Sequence, residues 1–225
     1  MTSSATSVVG GIRMGLDLCV EGRAIAGHEA EWESIIRRLF SEEELSEDEV
    51  ERFQSISLPA YASLDAPRVG SDPAADNWIA DQMADRMSRE QAIAEYNGYY
   101  SLALIESDGL PKFTNSGLYE GVDDTSFRGK FLESCTMVLS KKLIEQAWNH
   151  RMPEEAVAYG KSLFAAAADA RNGNTLNPRK PSMLRALFGS PSEIIPLDQQ
   201  LDIVETAGRW FIFWGSRGHA IRAYY

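Results

Sequence analysis

The chain has 225 residues, a formal net charge of −11 at pH 7, and 44% apolar and 24% charged residues. This composition argues against a disordered chain, and at this length one core buries enough surface to need no disulfide or metal staple. The acidic balance repels phosphate backbones and anionic lipids, so no nucleic-acid and no membrane partner is expected; a basic protein is the partner that such a charge suits, although solubility alone also accounts for it.

The first residues, through Gly11, lack the basic and apolar regions of a secretory signal, so residues 1–11 are expected to form a disordered tail. Met14 directly precedes the first patterned run and competes with Met1 as the start. Residues 12–20 alternate, with Met14, Leu16, Leu18 and Val20 on one side, which predicts a half-buried strand. His28 to Phe40 reads as a helix, with Trp32, Ile35, Ile36, Leu39 and Phe40 on one face. Ser41-Glu-Glu-Glu and Ser46-Glu-Asp-Glu are both capping-box patterns, and they start a shorter helix running to about Ser57. From Glu42 to Glu51 there are seven acidic residues and no basic one. Glu42, Glu43, Glu44, Glu47 and Asp48 are therefore the candidate docking residues for a basic partner, against the plainer reading of a solvated helix face.

Residues 58–73 carry Pro59, Pro67, Gly70 and Pro73 and read as irregular chain. Asp72-Pro73 opens a helix that runs to about Glu95, with a break near Ser88. Tyr99 to Ile105 and the run near 112–118 are predicted strands around a Ser107-Asp108-Gly109 turn. They deliver the chain to a helix from Thr125 to Trp148, with Phe127, Phe131, Leu132, Cys135, Val138, Leu139, Leu143 and Ala147 inward. Further helices are expected at 153–170, 181–188 and 197–207, the last closed by Gly208. Trp210, Ile212 and Trp214 alternate with Phe211 and Phe213, and Gly215-Ser-Arg-Gly218 follows, which predicts a terminal aromatic hairpin. Its apolar surface is also a place for homo-oligomer formation.

Tyr159-Gly-Lys-Ser162 resembles the end of a phosphate-binding loop, but Glu155 stands where that loop needs its first Gly. His28-Glu29 lacks the second His of a zinc-protease helix, and the chain has three histidines in all, so no metal or cofactor is expected. Cys19 and Cys135 form no CxxC and read as small buried apolar groups in a reducing, cytoplasmic setting. On one helix, Cys135 and His150 would stand roughly 22 Å apart, so a thiol–imidazole pair would need His28 or His219. The one polar constellation is Asp123, Asp124, Arg128 and Tyr119. Arg128 would fork to Asp124 at i,i+4, and Tyr119 and Trp148 would wall a groove, although helix capping also explains the aspartates.

These patterns predict one helix-dominant α+β domain over residues 12–225, packed on a small, mainly antiparallel sheet with the C-terminal hairpin. With no catalytic signature, the expected function is that of a non-enzymatic binding, immunity-type or regulatory protein of a bacterial cytoplasm. The alternative is a small-molecule-binding domain or enzyme with a polar site at the start of the 125–148 helix.

Overall fold

The structure, a computed structural model, describes residues 16–101, 104, 125–176 and 195–224. It is a helix-dominant α+β fold with a small antiparallel sheet. Strand β1 (Asp17–Val20) is central in that sheet, flanked by β4 (Ser126–Arg128) and β5 (Ile221–Tyr224), both antiparallel to it. The alternation expected at 12–20 is realised over its described part, 16–20: Leu18 pairs with Phe127 on one side and Ala223 on the other, and all three are buried in one row. The opposite row carries Asp17 and Cys19 across from Arg128 and Arg222. A second, two-stranded sheet joins β2 (Arg23–Ala24) to β3 (Ser57–Leu58).

Helix α1 (Glu29–Phe40) buries Trp32, Ile35 and Ile36. Of the two capping-box patterns, only the second starts a helix. Ser46 accepts from the Glu49 amide and opens α2 (Glu47–Ser55), whereas Ser41 is the C-cap of α1. Trp32, Ile36, Ile56, Met152 and Ala220 close this corner as a small core of their own. The irregular stretch includes a 3₁₀ turn at Ala62–Leu64. Helices α3 (Pro73–Gln82) and α4 (Arg89–Glu95) follow, and the break between them spans residues 83–88 and ends at Ser88, which caps α4.

Tyr100 makes only an isolated bridge to Arg68, and Ser101 donates its amide to Pro67. The expected strand at 99–105 is thus reduced to this contact among the described residues. The turn at 107–109, the run at 112–118, the helix at 181–188 and the tail at 1–11 lie outside the described residues.

Two expectations are corrected. The stretch 125–148 is not one helix. After β4 it makes a single helical turn, α5 (Lys130–Glu133), then a series of turns, then α6 (Lys141–Gln146). The spacing correctly marked the buried side chains Phe127, Leu132, Cys135, Val138, Leu139 and Ala147. Continuity fails because the backbone is claimed elsewhere. The Met137 amide donates to the Gln200 side chain, and its carbonyl accepts from the Leu176 amide. Ser140 then starts a new helix by accepting from the Leu143 amide. The small residue at Gly129 lets the chain pass β1, where a Cβ would stand 2.6 Å from Leu16 Cδ2.

The aromatic hairpin is the second correction. Residues 209–216 continue the helix begun at Leu197, giving α8 (Leu197–Ser216), and only β5 of the hairpin is a strand. A run that is apolar on both faces suits a strand covered on both sides, but it also suits a helix buried all round. Trp210, Phe211, Phe213 and Trp214 are all buried. Gly208 does not close the helix; it faces α7 (Pro153–Arg171) from the middle of it. A Cβ on Gly160 would meet the Gly208 carbonyl at 2.8 Å, and one on Gly215 would meet the Pro153 carbonyl at 2.6 Å. The two longest described helices therefore pack backbone to backbone, and the sheet lies against α8, with the Phe127 and Trp210 rings 5.9 Å apart.

Candidate functional site

Three places gather polar chemistry. The first is the expected cluster. Arg128 lies on a strand, so the helical i,i+4 step to Asp124 does not exist. Its Nε instead faces Asp17 Oδ1 across the β1–β4 ladder at 3.4 Å, with both side chains about half exposed. Tyr119, Asp123 and Asp124 lie outside the described residues. Trp148 is not on the same helix as Arg128; it follows the end of α6.

The second place was not foreseen. The Ser63 hydroxyl stands 2.7 Å from Nε2 of His219, whose Nδ1 is 2.8 Å from the carbonyl oxygen of Glu21. Nδ1 therefore carries the proton, and the Nε2 lone pair faces the hydroxyl. Burial pushes the imidazole down to about 4. A serine facing a neutral imidazole is the beginning of a nucleophilic pair. The surroundings do not complete it. The amides of Ser63, Leu64, Asp65 and Ala66 all donate within their own turn, so this turn supplies no oxyanion donors. The hydroxyl donates its one hydrogen to the Ala60 carbonyl at 2.6 Å, which draws it away from the imidazole lone pair. The arrangement ties three distant segments together. No spacing in the chain could reveal it, since its partners stand 156 and 198 residues apart.

Cys135 is no nucleophile. Its thiol donates to the Phe131 carbonyl, and burial pushes its pKa up, away from the thiolate. His219 is engaged by Ser63 and Glu21, and His28 stands beside Glu31 and Arg52. Among the described residues, no three His, Cys, Asp or Glu side chains converge on a metal position.

The third place is the corner where α1 ends. Phe40, Ser41, Glu42, Trp148, Asn149 and His150 line a shallow, open depression. The Phe40 and His150 rings stack with centroids 4.7 Å apart and planes 13° from parallel. The Ala223 amide donates to His150 Nδ1 at 3.1 Å, so the neutral ring carries its proton on Nε2. In that tautomer neither ring nitrogen is open to a metal. Burial and the nearby Arg222 charge lower the imidazole's pKa, while the Glu42 carboxylate opposes them.

Beside this corner lie the acidic docking candidates. Arg38 donates to Glu43 at 2.9 Å and to Glu49 at 2.5 Å, and Arg52 meets Glu31 at 2.6 Å. These pairs hold α2 against α1, and hydrogen bonds from Arg38 and Ser46 hold Glu49 down to about 2. Glu43 is thus paired to Arg38, although exposed. Among the described residues Glu42, Glu44, Glu47 and Asp48 are exposed and have no ion-pair partner. No described helix is long and apolar enough to cross a membrane. Compared with family models, with curated proteins and with solved structures, the chain finds no match.

Proposed function

We propose that the protein acts by protein–protein contact, presenting the acidic α1–α2 corner to a basic partner, in the manner of an immunity-type or regulatory protein of the cytoplasm. The observation that carries this reading is the division of labour among the acids. The Arg38 and Arg52 pairs absorb Glu31, Glu43 and Glu49, and so fix the geometry of the corner. Glu44, Glu47 and Asp48 are left exposed and unpaired among the described residues. Charges so placed steer encounter and set specificity more than they set raw affinity.

The test compares the native protein with a triple charge reversal, Glu44→Lys, Glu47→Lys and Asp48→Lys, as baits in the same low-salt lysate. A basic protein retained by the first, lost by the second and released steeply by salt is the expected result. Identical capture by both baits would remove the proposal.

A further inference from the structure

Three described helices end in the same hydrogen-bonded motif. At the end of α7 the Gly173 amide donates to Ala170 and the Asn174 amide to Asp169. At the end of α8 the Gly218 amide donates to Gly215 and the His219 amide to Trp214. At the end of α1 the Glu42 amide donates to Leu39 and the Glu43 amide to Arg38. The motif requires a left-handed residue at its pivot, which is why glycine favours that position. Gly173 and Gly218 occupy it with φ of 89° and 81°; at α1 it is held by Glu42, with φ of 57°. Here the pivot is a residue with a carboxylate in place of glycine, and Glu42 is one of the residues lining the depression beside α6.

The rest of the lining says what the carboxylate faces. Phe40, stacked on His150, and Trp148 are the half-buried aromatic carbocycles of the lining. His150 is held neutral by accepting the Ala223 amide, and Ser41 and Asn149 are uncharged. Arg222, whose charge bears on His150, is drawn toward Glu21 at 3.9 Å and lies over the Tyr224 ring. Among the described lining residues, Glu42 is thus the only one that carries a formal charge. One carboxylate among aromatic rings is complementary to a planar, weakly hydrated cation, which stacks on rings and forks to a carboxylate; a compact ammonium does neither as well.

We propose that this depression receives an arginine side chain of a basic protein partner, as the anchor of the contact proposed above. The inference rests on that reading for the source of the arginine and on the lining alone for its chemistry. Glu44, Glu47 and Asp48, on the chain leaving the same corner, extend the complementarity to basic residues around the anchor.

The test is a two-dimensional NMR titration of the full chain with N-acetyl-argininamide, with N-acetyl-citrullinamide as the uncharged control. Saturable shifts are expected at the amides of Phe40, Ser41, Glu42, Trp148, Asn149 and His150, with citrullinamide binding at least about tenfold more weakly. Glu42→Gln should weaken argininamide about tenfold. Glu42→Gly should lose the probe equally while unfolding at a higher temperature, so that lost binding cannot be laid to lost folding. Absence of saturable shifts, equal binding of citrullinamide, or an unaffected Glu42→Gln variant would overturn the proposal. Glu44→Lys and Asp48→Lys should leave this titration saturable at the same amides. Failure of the lysate comparison with this titration intact counts against the acidic face alone; the converse counts against the arginine site alone.

Discussion

The guanidinium carbon of Arg151 lies 3.7 Å from the centre of the Tyr159 ring, in a position where Arg151 is only 5% exposed. Its Nη1 donates to the Asn149 carbonyl and its Nη2 to the Gln146 carbonyl, at the end of α6. Tyr159 in turn donates its hydroxyl to the Leu143 carbonyl. The backbone of Arg151 exchanges both hydrogen bonds with Ile221 at the start of β5. One side chain therefore closes a helix end, covers a ring on α7 and sits beside the sheet. Arg151→Met should cost about 2 kcal/mol, because two charge-assisted hydrogen bonds and the stacking on Tyr159 are lost at a buried position. Arg151→Lys should recover little of this, since an ammonium cannot span the ring and both carbonyls. Urea unfolding followed by tryptophan fluorescence checks both, and a loss under about 0.5 kcal/mol for the Met variant would contradict the assignment.

Acid should loosen the fold through histidine before it does so through the surface carboxylates. His219 is lowered to about 4 in the folded state, so the unfolded chain binds the extra proton first. Its neutral form contributes stability that is complete above about 6.5 and is lost as pH falls toward 4, for a total of roughly 3 kcal/mol. His150, also lowered, acts in the same direction. Glu21 acts oppositely: its raised value adds stability below the ordinary carboxylate range, and that contribution is lost as pH rises. Melting temperature measured from pH 7 to pH 4.5 should fall steadily, and His219→Gln should flatten the slope while lowering stability at pH 7. An unchanged slope in that variant would exclude His219 as its source.

The α7–α8 contact sets a gradient of tolerance among its glycines. Gly215→Ala places a Cβ 2.6 Å from a backbone oxygen, and Gly160→Ala places one 2.8 Å from another; these should cost about 2–3 kcal/mol each. Gly208→Ala meets the Phe164 ring at 3.1 Å and the Gly160 carbonyl oxygen at 3.2 Å, longer approaches than the other two, so its cost should be nearer about 1 kcal/mol. Thermal unfolding should rank them in that order, and a stabilised Gly215→Ala would refute the close approach.

Glu42→Gly should stabilise the protein by about 1 kcal/mol by relieving the left-handed glutamate. Glu42→Ala should not, because alanine meets the same restriction. Chemical denaturation of the two variants side by side makes the comparison, and equal stabilities would mean that the pivot stores no strain.

Several features were legible in the residues alone because they are local. The alternation around Leu16 and Leu18, the Ser46 cap, the break near Ser88, Pro153 at the start of α7 and the apolar face of α1 each lie within a few residues of chain. The helix-dominant α+β class follows from them. The stripe from Phe127 to Ala147 correctly told which side chains are buried, since burial needs only a period. It did not tell that the backbone would break, because the groups that claim Met137 come from Leu176 and Gln200. Trp210 to Trp214 is apolar in every direction, and such a run takes its conformation from what surrounds it. The close-packed Gly160 and Gly208 backbones and the aromatic core around α8 made it a helix. In the same way, the acidic run was visible at once, but which acids are spent on Arg38 and which face outward depended on how α2 folds back on α1. The Glu42 depression joins the end of α1 to the end of α6, more than 100 residues on. Local propensity has no access to such distances; only the packed chain brings those groups together.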